Sequence, residues 1–143
     1  MQTKTLKPRR LFLLDGIGAF VSLVFLGFVL VRYQELIGMP IPALRILAIF
    51  PFLFMIYDTI CYFKANSQPA VLLKVISVLN LLYAFFSITS VFFYFDKITY
   101  LGLNYFSLEV ILILLLVNLE WKTATSLEAD KALSDYLKQH DQG

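Results

Sequence analysis

The chain has 143 residues, 59% of them hydrophobic and only 15% charged, with a mean hydropathy of +0.77. Soluble domains carry nearer a quarter charged residues, so this much apolar surface calls for a non-aqueous solvent, and a formal charge of +2 is too small to point to nucleic acid. A lone Cys61 rules out an internal disulfide and a Cys-rich metal site, and a lone His140, outside every apolar stretch, rules out bis-histidine haem within a membrane.

The first apolar run covers residues 11–31 and follows a basic start, Lys4, Lys7, Arg9 and Arg10. At 21 residues it exceeds the h-region of a signal peptide, it contains Asp15, and no A-x-A-like site follows. The expectation is a retained helix. Three more runs follow, at residues 46–63, 75–95 and 98–119, each near the roughly 20 apolar residues that span a bilayer. Polar residues bracket them: Arg10 and Arg32, Arg45 and Lys64, Lys74 and Asp96, Lys97 and Glu120. Unpaired backbone groups are too costly in hydrocarbon, so such runs must be helices. None alternates as a barrel strand would.

Three links join them. Residues 33–44 hold Gly38, Pro40 and Pro42, which stop a helix; residues 64–69 form a turn with Pro69 placed to open the third helix; Asp96-Lys97 is expected to be the tightest. Short links make neighbours antiparallel, so the predicted fold class is an all-α membrane protein, four transmembrane helices in an up-down-up-down bundle. It comprises a basic N-terminus (1–10), a transmembrane domain (11–121) and a polar tail (122–143). In the tail, Ser126 would cap a short helix, or the tail extends the fourth helix. In architecture the chain resembles small four-helix bacterial membrane proteins, a likeness that carries no function.

Nine basic residues (Lys4, Lys7, Arg9, Arg10, Lys64, Lys74, Lys122, Lys131, Lys138) fall on the side of the termini and the second link, against Arg32, Arg45 and Lys97 opposite. By the positive-inside rule both termini are cytoplasmic, and the expected location is a bacterial inner (plasma) membrane. Tyr33, Tyr62, Tyr94, Tyr100 and Trp121 near the run ends suit the interfaces.

An Asp at the bilayer centre costs roughly 2.5–3.5 kcal/mol, so polar residues at depth are the main clue to function. Asp15, Asp58 and Asn80 lie at similar depth in the cytoplasmic half, with Tyr57, Tyr83 and Asn118 able to join them. Glu109 lies near the midplane, where it is expected to carry a proton, either donating to the carbonyl that Pro51 frees at Leu47 or lining a polar cavity. Asn118 falls half a helical turn away from Glu109.

Residues 14–22 and 79–87 share Leu, Ala, Phe and Ser in register, with Asn80 in the place of Asp15, an echo that suggests a duplicated helical hairpin. Gly18, Ala19 and Ser22 on the first helix and Ala84 and Ser87 on the third form small-residue stripes. Such stripes allow close approach, so a packing seam locked by an Asp15–Asn80 hydrogen bond stands beside the functional reading of these polar residues.

No Cys-x-x-Cys, Gly-x-Ser-x-Gly or metal-ligand cluster is present, so no enzyme, metal or cofactor is expected, although Asp15, Asp58 and Tyr57 have acid–base chemistry. Two functions from different classes remain. The leading one is a subunit or accessory protein acting through helix association, in a homo-oligomer or larger membrane complex within the lipid bilayer. The alternative is an oligomeric proton- or cation-coupled transporter or channel using the intramembrane carboxylates.

Overall fold

The computed structural model describes residues 6–141 and is all-helical among them. Four helices are long and apolar enough to cross a membrane: α1 (Pro8–Arg32), α2 (Ile41–Lys64), α3 (Pro69–Phe93) and α4 (Tyr100–His140). Lys4 of the basic N-terminus and residues 142–143 of the tail fall outside the described residues.

Each helix starts where the sequence permits it. Proline occupies the first turn of α1, α2 and α3, where its missing N–H has no intrahelical partner to lose. The start of α4 is capped by Thr99, whose Oγ1 accepts the N–H of Gly102 at 3.2 Å. Pro69 opens α3 as expected, and α2 begins at Ile41, one turn ahead of the apolar run at 46, because Pro42 favours the first turn of a helix and the single charge Arg45 does not interrupt it.

Two further expectations are corrected. Asp96-Lys97 is not the tightest connection, since residues 94–99 are all non-helical, whereas residues 65–68 alone separate α2 from α3; the longer link between α1 and α2 holds the one-turn helix Gln34–Ile37. Gly38 ends that turn at φ +82°, which is why the chain can reverse there so sharply. Nor does Ser126 cap a separate tail helix; of the two readings of the tail, the extension of the fourth helix is the one observed. Ser126 lies inside α4, which runs unbroken because no Gly or Pro occurs from 103 to its end. Thr125 donates its hydroxyl back to the Trp121 carbonyl in that stretch.

Inside α1, residues Phe25–Val29 form a π-helical turn, a local widening often found near functional sites. It brings the Phe25 ring to stack on Tyr105 of α4, with centroids 5.9 Å apart.

Helix α1 packs along α2 and α3 along α4, giving two closely packed hairpins that touch one another more sparingly. Arg9 clasps the first hairpin, its Nε donating to the Tyr62 carbonyl (3.2 Å) while its guanidinium lies over the Tyr62 ring. Lys74 clasps the second, paired with Glu128 at 2.7 Å and lying over Trp121. At the other end the two hairpins are latched through the backbone: Thr99 N donates to the Ile37 carbonyl at 2.9 Å. Gly102 packs so closely on that carbonyl that it has no room for a side chain.

The core is narrow, built on Leu11, Phe12, Leu26, Leu44, Leu47, Leu73, Ile76 and Phe106. Outside it, each helix presents large apolar side chains, among them Ile49, Phe52, Phe85, Phe92, Leu108 and Leu112. Helices apolar all round belong in a membrane. Tyr33, Tyr100 and Trp121 are exposed near helix or apolar-run ends.

Candidate functional site: buried carboxyls around an apolar cavity

Four carboxyl groups are buried between the helices: Asp15 on α1, Asp58 on α2, and Glu109 and Glu120 on α4. They form two groups joined by a cavity.

The first group gathers Asp15, Asp58 and Glu120. Asn80 of α3 donates from Nδ2 to Asp15 Oδ2 at 3.0 Å, and Ser77 donates to Glu120 Oε2 at 3.0 Å. Asp15, Asp58 and Glu120 lie near enough to feel one another's charge, with no hydrogen bond between them. Gly16 lies beside Asp58, where a Cβ would be in ordinary contact at 3.4 Å from the Cβ of Asp58. Asp58 is 1% exposed, and neither of its carboxyl oxygens has a hydrogen-bond partner. Glu120, fully buried, has one oxygen likewise unpartnered. Buried polar groups are nearly always bonded, so three free oxygens on two of these carboxyls are an exception that calls for a cause.

The second group surrounds Glu109. Tyr83 donates its hydroxyl to Glu109 Oε1 at 3.2 Å, and Tyr105 approaches the same oxygen at 3.5 Å. Ser22 is also within reach. Oε2 has no partner. Of the two expectations for Glu109, the bond to the Leu47 carbonyl is not formed, and the carboxyl lines a cavity instead. Pro51 is buried and shares the cavity wall with Glu109.

That cavity has a volume of about 250 Å³ and is lined from all four helices, with Asp15 and Asn80 at one end and Tyr83 and Glu109 further in. Its remaining wall is almost wholly apolar. The mouth lies between α1 and α4, where Gly18, Val21 and Leu112 are exposed.

Of the residues singled out by sequence, the structure brings together Asp15, Asp58 and Asn80 in one group and Tyr83 and Glu109 in the other. Two stand apart. Asn118 is exposed, since nine residues from Glu109 put it on the opposite side of α4. Tyr57 is half-buried and its hydroxyl donates to the Leu72 carbonyl at 3.1 Å, tying α2 to α3 instead of joining the carboxyls.

The small-residue stripes do not form a close α1–α3 seam. Ala19, Ala84 and Ser87 are buried, but Gly18 is exposed and a Cβ there would meet nothing within 4 Å. Ser22 lines the cavity that separates the two helices. The reason is the pairing: α1 spends its contacts on α2, and the side chains of Asp15 and Asn80 are long enough to bond across the gap.

Glu120 is the residue that sequence reasoning missed, having been taken as the polar bracket of the fourth run. Its spacing held the signal. It is eleven residues, very nearly three turns, beyond Glu109, so both project from one face of α4 together with Phe106 and Val117. Among the described residues no group of three His, Cys, Asp or Glu side chains is arranged to hold a metal ion.

No protein-family model matches the chain, and no curated protein or solved structure shows significant similarity to it.

Proposed function

We propose that this chain is an integral membrane protein that takes up and passes on protons through its buried carboxyls, as part of an oligomeric proton-coupled transporter. The observation that carries the reading is Asp58, enclosed between helices with both oxygens free. A carboxyl that served only the fold would be bonded, because leaving a buried polar group unsatisfied costs about 1–3 kcal/mol.

The chemistry follows from the neighbours. Carboxyls brought near one another, as Asp15 and Glu120 are, can bond to each other only when one carries a proton. Asp58 adds a third acceptor beside them, and the cavity leads on to Glu109. Four carboxyls in two groups, roughly 16 Å apart along α4 at 1.5 Å per residue, make a chain of proton-holding sites. Beyond Glu109 the bundle is closed by the buried Leu44, Leu47 and Met39, so transport requires the latched end to open.

In this reading the four spans run up-down-up-down, with both termini on the cytoplasmic side of a bacterial inner (plasma) membrane. The excess of Lys and Arg on that side supports the orientation, as do the clasps between the start of α1 and the end of α2 and between Lys74 and Glu128.

Proton flux into vesicles reconstituted with the full chain tests the proposal. Glu109→Gln and Asp58→Asn are each expected to lower flux at least tenfold while the protein still folds. Unchanged flux in both would overturn it.

A second reading, a subunit acting by helix association, is favoured by one observation. Past Glu128, α4 is exposed on all sides, yet it carries Leu133, Tyr136 and Leu137 at helical spacing. Crosslinking in native membranes tests it: a reproducible partner trapped through these three residues supports it, and a lone monomer overturns it.

A further inference from the structure

The cavity between the two carboxyl groups has features that proton transfer alone does not need. A proton path requires only polar atoms in sequence, but this space is about 250 Å³, walled mainly by apolar side chains, and open sideways between α1 and α4. For comparison, an apolar cavity of about 150 Å³ accommodates benzene. Two carboxyls, Asp15 and Glu109, face into it, and no Lys, Arg or His is among its lining residues. The rings of Phe54 and Tyr83 stand at 87° to each other in its wall, 5.9 Å between centroids.

We propose that this cavity binds a small amphipathic organic cation, an ammonium group on an apolar body of about one ring, entering from the membrane between α1 and α4. The proposal rests on the transport reading and names the substrate class of that same site. Charge complementarity selects the cation: Glu109 is 7% exposed, lines the space, and its Oε2 has no partner. An ammonium N–H donating to Oε2 supplies the missing bond, and a charge-assisted bond of this kind is about twice as strong as a neutral one. The aromatic faces of Phe54 and Tyr83 add a cation–π contribution, and the apolar wall takes the ring.

The mouth explains Gly18. A Cβ at this position would meet nothing within 4 Å, so the glycine is not there to let helices approach. Its lack of a side chain keeps the entrance between α1 and α4 clear, next to Val21 and Leu112, whose exposed apolar surfaces line a path from lipid.

The test uses the full chain in lipid nanodiscs and two probes of the same shape, phenethylammonium and neutral phenylethanol. Saturable binding of phenethylammonium, at least tenfold tighter than that of phenylethanol, is expected. Glu109→Gln, which keeps the shape and removes the charge, should weaken the ammonium at least tenfold and leave the alcohol within about twofold. Gly18→Phe should block both probes by filling the mouth, whereas Leu115→Phe, on the exposed face of α4 outside the cavity, should change neither. Equal binding of the two probes, or undiminished ammonium binding in Glu109→Gln, overturns the proposal. Should Gly18→Phe misfold, Glu109→Gln alone still decides it. Loss of proton flux in Glu109→Gln without ammonium binding by the parent protein would overturn the substrate assignment and leave proton transfer standing. Ammonium binding without proton flux would do the reverse.

Discussion

The two ends of the helical unit handle buried polar groups in opposite ways. Where residues 38–40 meet residues 94–99, the chain bonds to itself: Thr99 N and Oγ1 both donate to the Ile37 carbonyl, Thr99 Oγ1 accepts from Gly102, and Met39 is fully buried beneath. At the other end, Asp15, Asp58 and Glu120 are packed together with three oxygens left unbonded among them. The first arrangement is what stability alone would select. The second spends stability, and a site that does so without compensation is one where function has set the residues. If the contrast is real, substitutions at the latched end damage the fold, and substitutions among the carboxyls damage activity while sparing or improving the fold.

The largest effect is expected at Gly102. Any Cβ there runs into the Ile37 carbonyl, a backbone atom already fixed by Thr99, so the neighbour cannot give way. Overpacking costs typically about 1–3 kcal/mol, and Gly102→Val belongs at or above the top of that range. Thermal unfolding in detergent should show a large fall in Tm, or no folded protein. Gly38→Ala is expected to be comparable and of the same sign, since φ +82° disfavours a side chain by about 1–2 kcal/mol and the added Cβ would also run into the backbone of Lys97 and Ile98. A Gly102→Val protein as stable as the parent would remove one half of the comparison.

The next effect has the opposite sign. Asp58→Val replaces a buried, unbonded carboxyl by an apolar group of similar size, and should stabilise the protein by about 1 kcal/mol, the lower end of the cost of an unsatisfied buried group. Asp58 lies beside Gly16 with the Cβ positions 3.4 Å apart, which leaves room for a branched side chain only if it does not extend past the carboxyl it replaces. Urea or SDS unfolding of the parent and variant measures the difference. Destabilisation by more than about 1 kcal/mol would make the carboxyl end structural like the other, and the contrast would fail.

How much of this was legible in the sequence depends on what kind of signal each feature leaves. The four spans were, because each is a run of apolar residues long enough to be read without knowing its neighbours. Asp15, Asp58 and Glu109 announced themselves as charges inside such runs. Glu120 did not, because it sits at the edge of its run, where a charge looks like a boundary; only its eleven-residue spacing from Glu109 places it on the buried face. Asn118, two residues earlier, looked more intramembrane and is exposed. What the small-residue stripes face was not legible either. Small residues mark a face that approaches something, not which helix it approaches, so Gly18 read as a seam although it faces open space, and Gly16 went unnoticed although it meets Asp58. The latch escaped for a different reason: its acceptor is the backbone carbonyl of Ile37, which carries no side-chain signature.

The smallest effect is expected at the surface clasp beside the carboxyls. Lys74 and Glu128 pair at 2.7 Å with side chains 32% and 45% exposed, and Lys74 also lies over the Trp121 ring. An ion pair this open is screened by water and salt and is worth at most about 1 kcal/mol. Lys74→Ala should therefore lower stability slightly, and the deficit should shrink as ionic strength rises, because salt weakens the pair in the parent and leaves the variant alone. Unfolding curves at low and high salt measure this. The outcome bears on the comparison because Lys74 lies one turn before Ser77, which bonds Glu120. If the carboxyl end is held by its buried helix contacts, proton flux in Lys74→Ala should stay within about twofold of the parent; if flux falls tenfold, the clasp sets the position of Glu120, and the carboxyl group extends to the membrane surface.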